Sequence, residues 1–79
     1  MDEIEKVCAD VIGKILEIDP AKISKESSPD NLPEWDSLMH LRIVLELEKA
    51  FSIDISPEEG IELENFEMIC NYISKRNLN

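Results

Sequence analysis

Apolar residues near the start of the chain recur at spacings of three and four: Ile4, Val7, Cys8, Val11, Ile12, Ile15 and Leu16. This spacing puts all seven on one face of an α-helix, so an amphipathic helix is expected from about residue 2 to residue 17. Such a stripe is stable only when other elements cover it. The chain has 79 residues, too few for a second hydrophobic core, so residues 1–79 are expected to form one domain.

The covering elements follow from the same periodicity. A second helix is expected from about Ser37 to Phe51, with His40, Ile43, Val44, Leu47 and Phe51 on a core-facing arc. Leu38, Leu41 and Leu45 form another stripe outside that arc. Either these leucines stay partly exposed, or they pack beneath the preceding loop.

That loop, "IDPAKISKESSPDNLPEWD", holds three prolines and many polar residues, and loops of this length are uncommon unless anchored or functional. Ile18, Ile23 and Leu32 are its candidate anchors. Asp19 before Pro20 reads as the cap and first residue of a single helical turn.

"SPEE" at 56–59 signals a further start: Ser56 caps, Pro57 suits the first turn, and Glu59 completes a capping box. Only a short helix fits before Asn65. Phe66, Ile69, Cys70 and Ile73 then mark a last amphipathic helix, with Lys75 and Arg76 favourably placed at its negative end and fraying expected after Asn77. No segment alternates with period two and no Asn-Gly or Asp-Gly turn occurs, which argues against strands. The expected fold is all-α: a small antiparallel bundle of three long helices and one short one, with a long loop between the first and second.

Hydrophobic residues make up 43% of the chain, which suits a packed interior and neither the disordered nor the membrane class. Eighteen acidic against eight basic residues give a formal charge of minus 10, which repels nucleic acid and favours basic protein partners. The opening MDEIEKV lacks the pattern of a signal peptide, and no apolar run is long enough to span a membrane. A cytoplasmic monomer is expected. Cys8 and Cys70 lie on apolar faces without metal-ligand spacing, so they read as small core residues; a reducing compartment disfavours a disulfide between them.

Catalytic chemistry finds little support. Ser37 and His40 lie one turn apart, but there is no GxSxG elbow and no third group to orient the imidazole, so His40 reads as a partly buried structural residue. The acidic run from Asp54 to Glu67 lacks the D-x-D-x-D-G calcium loop and reads as solvated surface.

The mouth of the second helix is different. Asp36 is the natural N-cap, its carboxylate accepting from first-turn amides, which leaves Ser37 at the first helical position with its hydroxyl outward. Ser37 is then either a second capping residue or free for another use. A phosphate esterified there would meet the positive end of the helix, moderated by the neighbouring Asp36.

The segment "EWDSLMHLRIVLELEKAFSIDISPEE" resembles the central part of acyl carrier proteins, in which Asp-Ser-Leu opens the second helix and the serine carries a 4'-phosphopantetheine arm. The resemblance includes Asp36, Ser37 and Leu38 at the arm, and the later pattern of Leu47, Glu48, Phe51, Ile53, Ile55, Glu58 and Glu59. With the first helix, the long loop, the acidity and the length, it covers nearly the whole chain. It implies a non-catalytic protein whose arm comes from coenzyme A through a phosphopantetheinyl transferase, and which serves acyl-loading, acyl-transfer or condensing enzymes. A thiol of ordinary pKa about 8.5 leaves far more readily than a serine hydroxyl, which is why a thiol-ended arm keeps the acyl carbon activated.

Two departures from fatty-acid carriers bear on partners. Glu34 and Trp35 replace the usual Gly-Ala before Asp-Ser-Leu; Trp35 could lie beside the arm or staple the loop. Met39 and Arg42 stand where acids are common, and Arg42 and Lys49 cancel Glu46 and Glu48. The expected partner surface is Leu38, Met39, Leu41, Arg42, Leu45 and Glu46, serving a specialised lipid, polyketide or surface-glycan pathway. Alternatives are a peptidyl, amino-acyl or D-alanyl carrier, or an unmodified acidic interaction module.

Overall fold

The structure, a computed structural model, describes residues 3–76. Among them the chain forms α1 (Glu3–Leu16), α2 (Ser37–Phe51), α3 (Pro57–Glu62) and α4 (Phe66–Arg76), with a single 3₁₀ turn at Pro20–Lys22 and no strand. This is the all-α arrangement of three long helices and one short one. The expected fraying after Asn77 lies outside the described residues.

The stripe on α1 is buried as its spacing requires: Cys8, Val11, Ile12 and Leu16 are inside, and Ile4, Val7 and Ile15 pack at the margin. α1 packs against α2 and α4, whose contributions to the interior include Ile43, Leu47, Phe66, Ile69 and Ile73. Cys8 and Cys70 are both buried, and no disulfide joins them.

α1 ends in a tight reversal. Glu17 adopts a left-handed conformation, φ 59°, and the amide of Ile18 donates to the Gly13 carbonyl at 3.0 Å, the closure that satisfies the last carbonyls of a helix. A Cβ at Gly13 would lie 2.9 Å from the Ile18 carbonyl oxygen and 3.0 Å from Cγ of Pro20. Only glycine lets the chain fold back this closely.

The loop that follows is pinned along its length. Asp19 accepts from the amide of Ala21 at 2.9 Å and caps the 3₁₀ turn. Ile23 is buried, while Ile18 and Leu32 pack against the core. The loop also closes α4 in a way no side-chain pattern announces. The amides of Phe66 and Glu67 donate to the carbonyls of Ser27 and Lys25 at 2.9 and 3.3 Å, and Asn65 Oδ1 accepts from Met68 at 2.8 Å. These are first-turn donors that the helix itself cannot satisfy.

α3 is short but firmly started. Ser56 Oγ accepts from the Glu59 amide and Glu59 Oε1 from the Ser56 amide, each at 3.2 Å, the reciprocal capping box expected from the sequence. Its approach is held by Glu48, whose carboxylate accepts from the Ile55 amide at 2.9 Å.

Candidate functional site

The N-terminus of α2 is capped by Asp36, whose carboxylate accepts from the Met39 amide at 2.9 Å. Ser37 therefore occupies the first helical position. It is exposed, and its hydroxyl has no hydrogen-bond partner among the described residues. The cap is thus supplied by Asp36, and Ser37 is an exposed residue beside it.

Beside Ser37 opens a groove of about 620 Å³. The loop contributes Pro29 and Asp30, α2 contributes His40, Leu41 and Val44, and α3 with its exit contributes Gly60, Ile61 and Glu64. Its floor is apolar, and Asp30, Asp36 and Glu64 bring carboxylates to it. Among the described residues no group of acids, cysteines and histidine is arranged to hold a metal ion.

Trp35 lies behind this groove and does not line it. The indole is 1% exposed and donates from Nε1 to Nδ1 of His40 at 3.0 Å. An indole N–H can only donate, so Nδ1 of His40 must accept and its proton sits on Nε2. Nε2 in turn donates to the carbonyl of Gly60 at 2.9 Å. His40 is thus half-buried and structural, with both nitrogens committed. Trp35 staples the end of the loop to α2 and, through His40, to α3.

The leucine stripe of α2 faces water: Leu38, Leu41 and Leu45 are 61%, 55% and 50% exposed. Ile61 on α3, across the groove from Leu41, is exposed to 76%. Arg42 is exposed, whereas Met39 and Glu46 are half-buried. Met39 packs against the core, with its sulfur 3.9 Å from an Arg42 guanidinium nitrogen, so it presents less surface than its neighbours.

A polar cluster on the far side ties α3 to α4. The Tyr72 hydroxyl accepts from Arg76 at 2.6 Å, and the Glu59 carboxylate lies 3.9 Å from Arg76. Hydrogen bonds from the Ser56 amide and hydroxyl, then from Tyr72, hold the Glu59 carboxyl below its ordinary range. Burial, then the bond to Glu59, pushes the Tyr72 phenol up. The sequence marked Glu59 as a cap but gave no sign of this second use.

Gly60 and Ile61 were also beyond sequence reasoning, since a backbone carbonyl that receives a histidine has no residue signature. Glu64 belongs to the acidic run that reads as solvated surface, and the fold brings it to one groove with Asp30.

The comparisons with known proteins cover nearly the whole chain. The family described as "Phosphopantetheine attachment site" matches residues 5–73. The acyl carrier protein of Buchnera aphidicola is 31% identical over 77 residues, 98% of each chain. That of Amoebophilus asiaticus is 29% identical over 76 residues, 96% of this chain and 95% of that protein. That of Porphyromonas gingivalis is 27% identical over 75 residues. With an all-α fold of the matching pattern and a match over nearly its full length, this chain belongs to the acyl carrier protein family of phosphopantetheine-bearing, non-catalytic carrier domains.

Proposed function

We propose that Ser37 is the residue that bears the 4'-phosphopantetheine arm, and that the chain acts as a single, monomeric cytoplasmic carrier domain presenting an acyl thioester to a dedicated set of enzymes. The observation that carries the assignment is the division of labour at α2: Asp36 satisfies the cap, and the Ser37 oxygen is exposed without a partner. The residues present suit the group. A phosphate on Ser37 sits at the positive end of a 15-residue helix, and the adjacent groove gives the arm an apolar surface to lie against. When attached, the arm supplies the thiol that this chain's own buried cysteines cannot offer. What the chain's residues contribute is placement: Asp36 orders the first turn, and Trp35 and His40 fix that turn to α3.

Incubation with coenzyme A and a broad-specificity phosphopantetheinyl transferase tests the assignment. The wild type gains the mass of one arm and Ser37→Ala gains none. An unmodified interaction module would gain none in either form.

A specialised partner set is supported by the surface of α2. Basic residues Arg42 and Lys49 offset Glu46 and Glu48, and the exposed leucines supply an apolar face. Loading, transfer or condensing enzymes that meet Leu38, Leu41, Arg42, Leu45 and Glu46, with Met39 at the margin, need apolar contact more than a basic patch. Failure of this chain to rescue a strain lacking its housekeeping fatty-acid carrier supports this, and full rescue refutes it. An amino-acyl cargo is the second reading. The carboxylates of Asp30, Asp36 and Glu64 around one groove favour a group carrying an ammonium.

A further inference from the structure

An apolar group held on a flexible arm gains free energy by leaving water. If the arm is on Ser37, on which this inference rests, the way in begins at the groove beside that residue. How deep a chain could go depends on the seam where α2 meets α3.

That seam is narrow where Gly60 faces Val44. A Cβ built on Gly60 would stand 3.6 Å from both γ carbons of Val44 and 3.9 Å from Cγ2 of Ile55. Adding one bond length of about 1.5 Å puts the Gly60 backbone within about 5 Å of Val44. A methylene chain touching both walls at about 3.5–4.0 Å needs a slot roughly 7–8 Å wide. No alkyl chain passes there without moving α3.

Moving α3 has a specific cost. His40 reaches across the seam to the Gly60 carbonyl at 2.9 Å, and its other nitrogen holds the indole N–H of Trp35. The indole is 1% exposed, so a displaced imidazole strands a buried donor. Trp35 itself is buried in the core beside His40. At the groove itself, a long alkyl chain would cover the carboxylates of Asp30 and Glu64 and strip them of water. A short or polar group leaves them hydrated.

We infer that the cargo of this carrier is a short acyl group carried outside the helical core, and that Trp35, His40 and Gly60 set the limit by closing the α2–α3 seam. The indole and imidazole act by position and touch no reacting atom.

The test loads wild type, His40→Ala and Trp35→Phe with acetyl or octanoyl arms, using the coenzyme A thioesters and a broad-specificity transferase. Mass spectrometry counts the arm, melting gives Tm, and methyl NMR follows Ile43, Val44 and Leu47. In the wild type the acetyl and octanoyl forms melt within about 1 °C of each other, and the three methyl signals coincide. In at least one variant, where the seam is loosened, the octanoyl form melts several degrees above the acetyl form. Wild-type octanoyl protein that melts more than about 3 °C above the acetyl form, with shifted Val44 and Leu47 methyls, overturns the inference and leaves Ser37 as the attachment site. Protein that gains no arm overturns the Ser37 assignment and this inference with it.

Discussion

The indole of Trp35 and the imidazole of His40 form a donor–acceptor pair at 3.0 Å, with ring planes 23° apart and centroids separated by 6.0 Å. One residue ends the long loop and the other lies one turn inside α2, so this pair fixes the direction in which the helix leaves the loop. The same imidazole reaches α3, which makes one side chain the junction of three segments.

Replacing that junction separates packing from hydrogen bonding. His40→Leu leaves the indole N–H buried without an acceptor and lowers unfolding stability by about 1–3 kcal/mol. His40→Gln can accept from the indole and donate to the Gly60 carbonyl, and loses less than about 1 kcal/mol. Urea denaturation of the three proteins compares them; equal losses in both variants would contradict the bonded chain.

At the mouth of α2 the two adjacent polar residues have different energetic weight. Asp36→Ala removes the acceptor of the Met39 amide and costs about 1 kcal/mol. Ser37→Ala breaks no side-chain hydrogen bond among the described residues and is expected to change stability by no more than about 0.5 kcal/mol and, on the proposed assignment, to abolish arm attachment. Thermal melts beside the mass assay read both.

Among the described residues, two that are not glycine hold left-handed backbones, Glu17 at φ 59° and Ser52 at φ 54°. Such a conformation costs an L-residue about 1–2 kcal/mol, partly offset in glycine by its greater freedom when unfolded. Glu17→Gly and Ser52→Gly are each expected to stabilise the protein by about 0.5–1 kcal/mol. Gly13→Ala goes the other way, because its methyl meets a backbone oxygen at 2.9 Å. Chemical denaturation gives all three signs.

Glu59 and Tyr72 set the two pH limbs. The Glu59 carboxyl lies below its ordinary 4.5 when folded, so the unfolded chain binds more protons as pH falls beneath that value. Its stabilising contribution is present above about pH 4.5 and is lost as pH falls through the folded value. Tyr72 lies above its ordinary 10.0, so its contribution is present below pH 10.0 and is lost as pH rises through the folded value. Melting curves should show the Tm advantage of wild type over Glu59→Gln shrinking in acid, and that over Tyr72→Phe shrinking in alkali.

Much of the framework was legible because it rests on local signals. The Ser56 and Glu59 box, the Asp19 and Asp36 caps and the apolar spacings each belong to a few neighbouring residues, and their elements fall within a residue or so of expectation. The exposed face of Leu38, Leu41 and Leu45 was ambiguous, since periodicity defines a stripe but not what covers it. Trp35 stayed undecided for a related reason: its partner lies on α2, and the space it fills depends on where α3 sits. The groove was invisible because Asp30 and Glu64 meet only through tertiary folding.

The carbonyls of Lys25 and Ser27 that receive the first amides of α4 bear on the order of assembly. Those donors wait for a segment about forty positions earlier, so the start of the last helix closes only after a long chain excursion has been restrained. Hydrogen exchange at Phe66 and Glu67 should therefore report the docking of the distant segment, and slow only when that segment arrives.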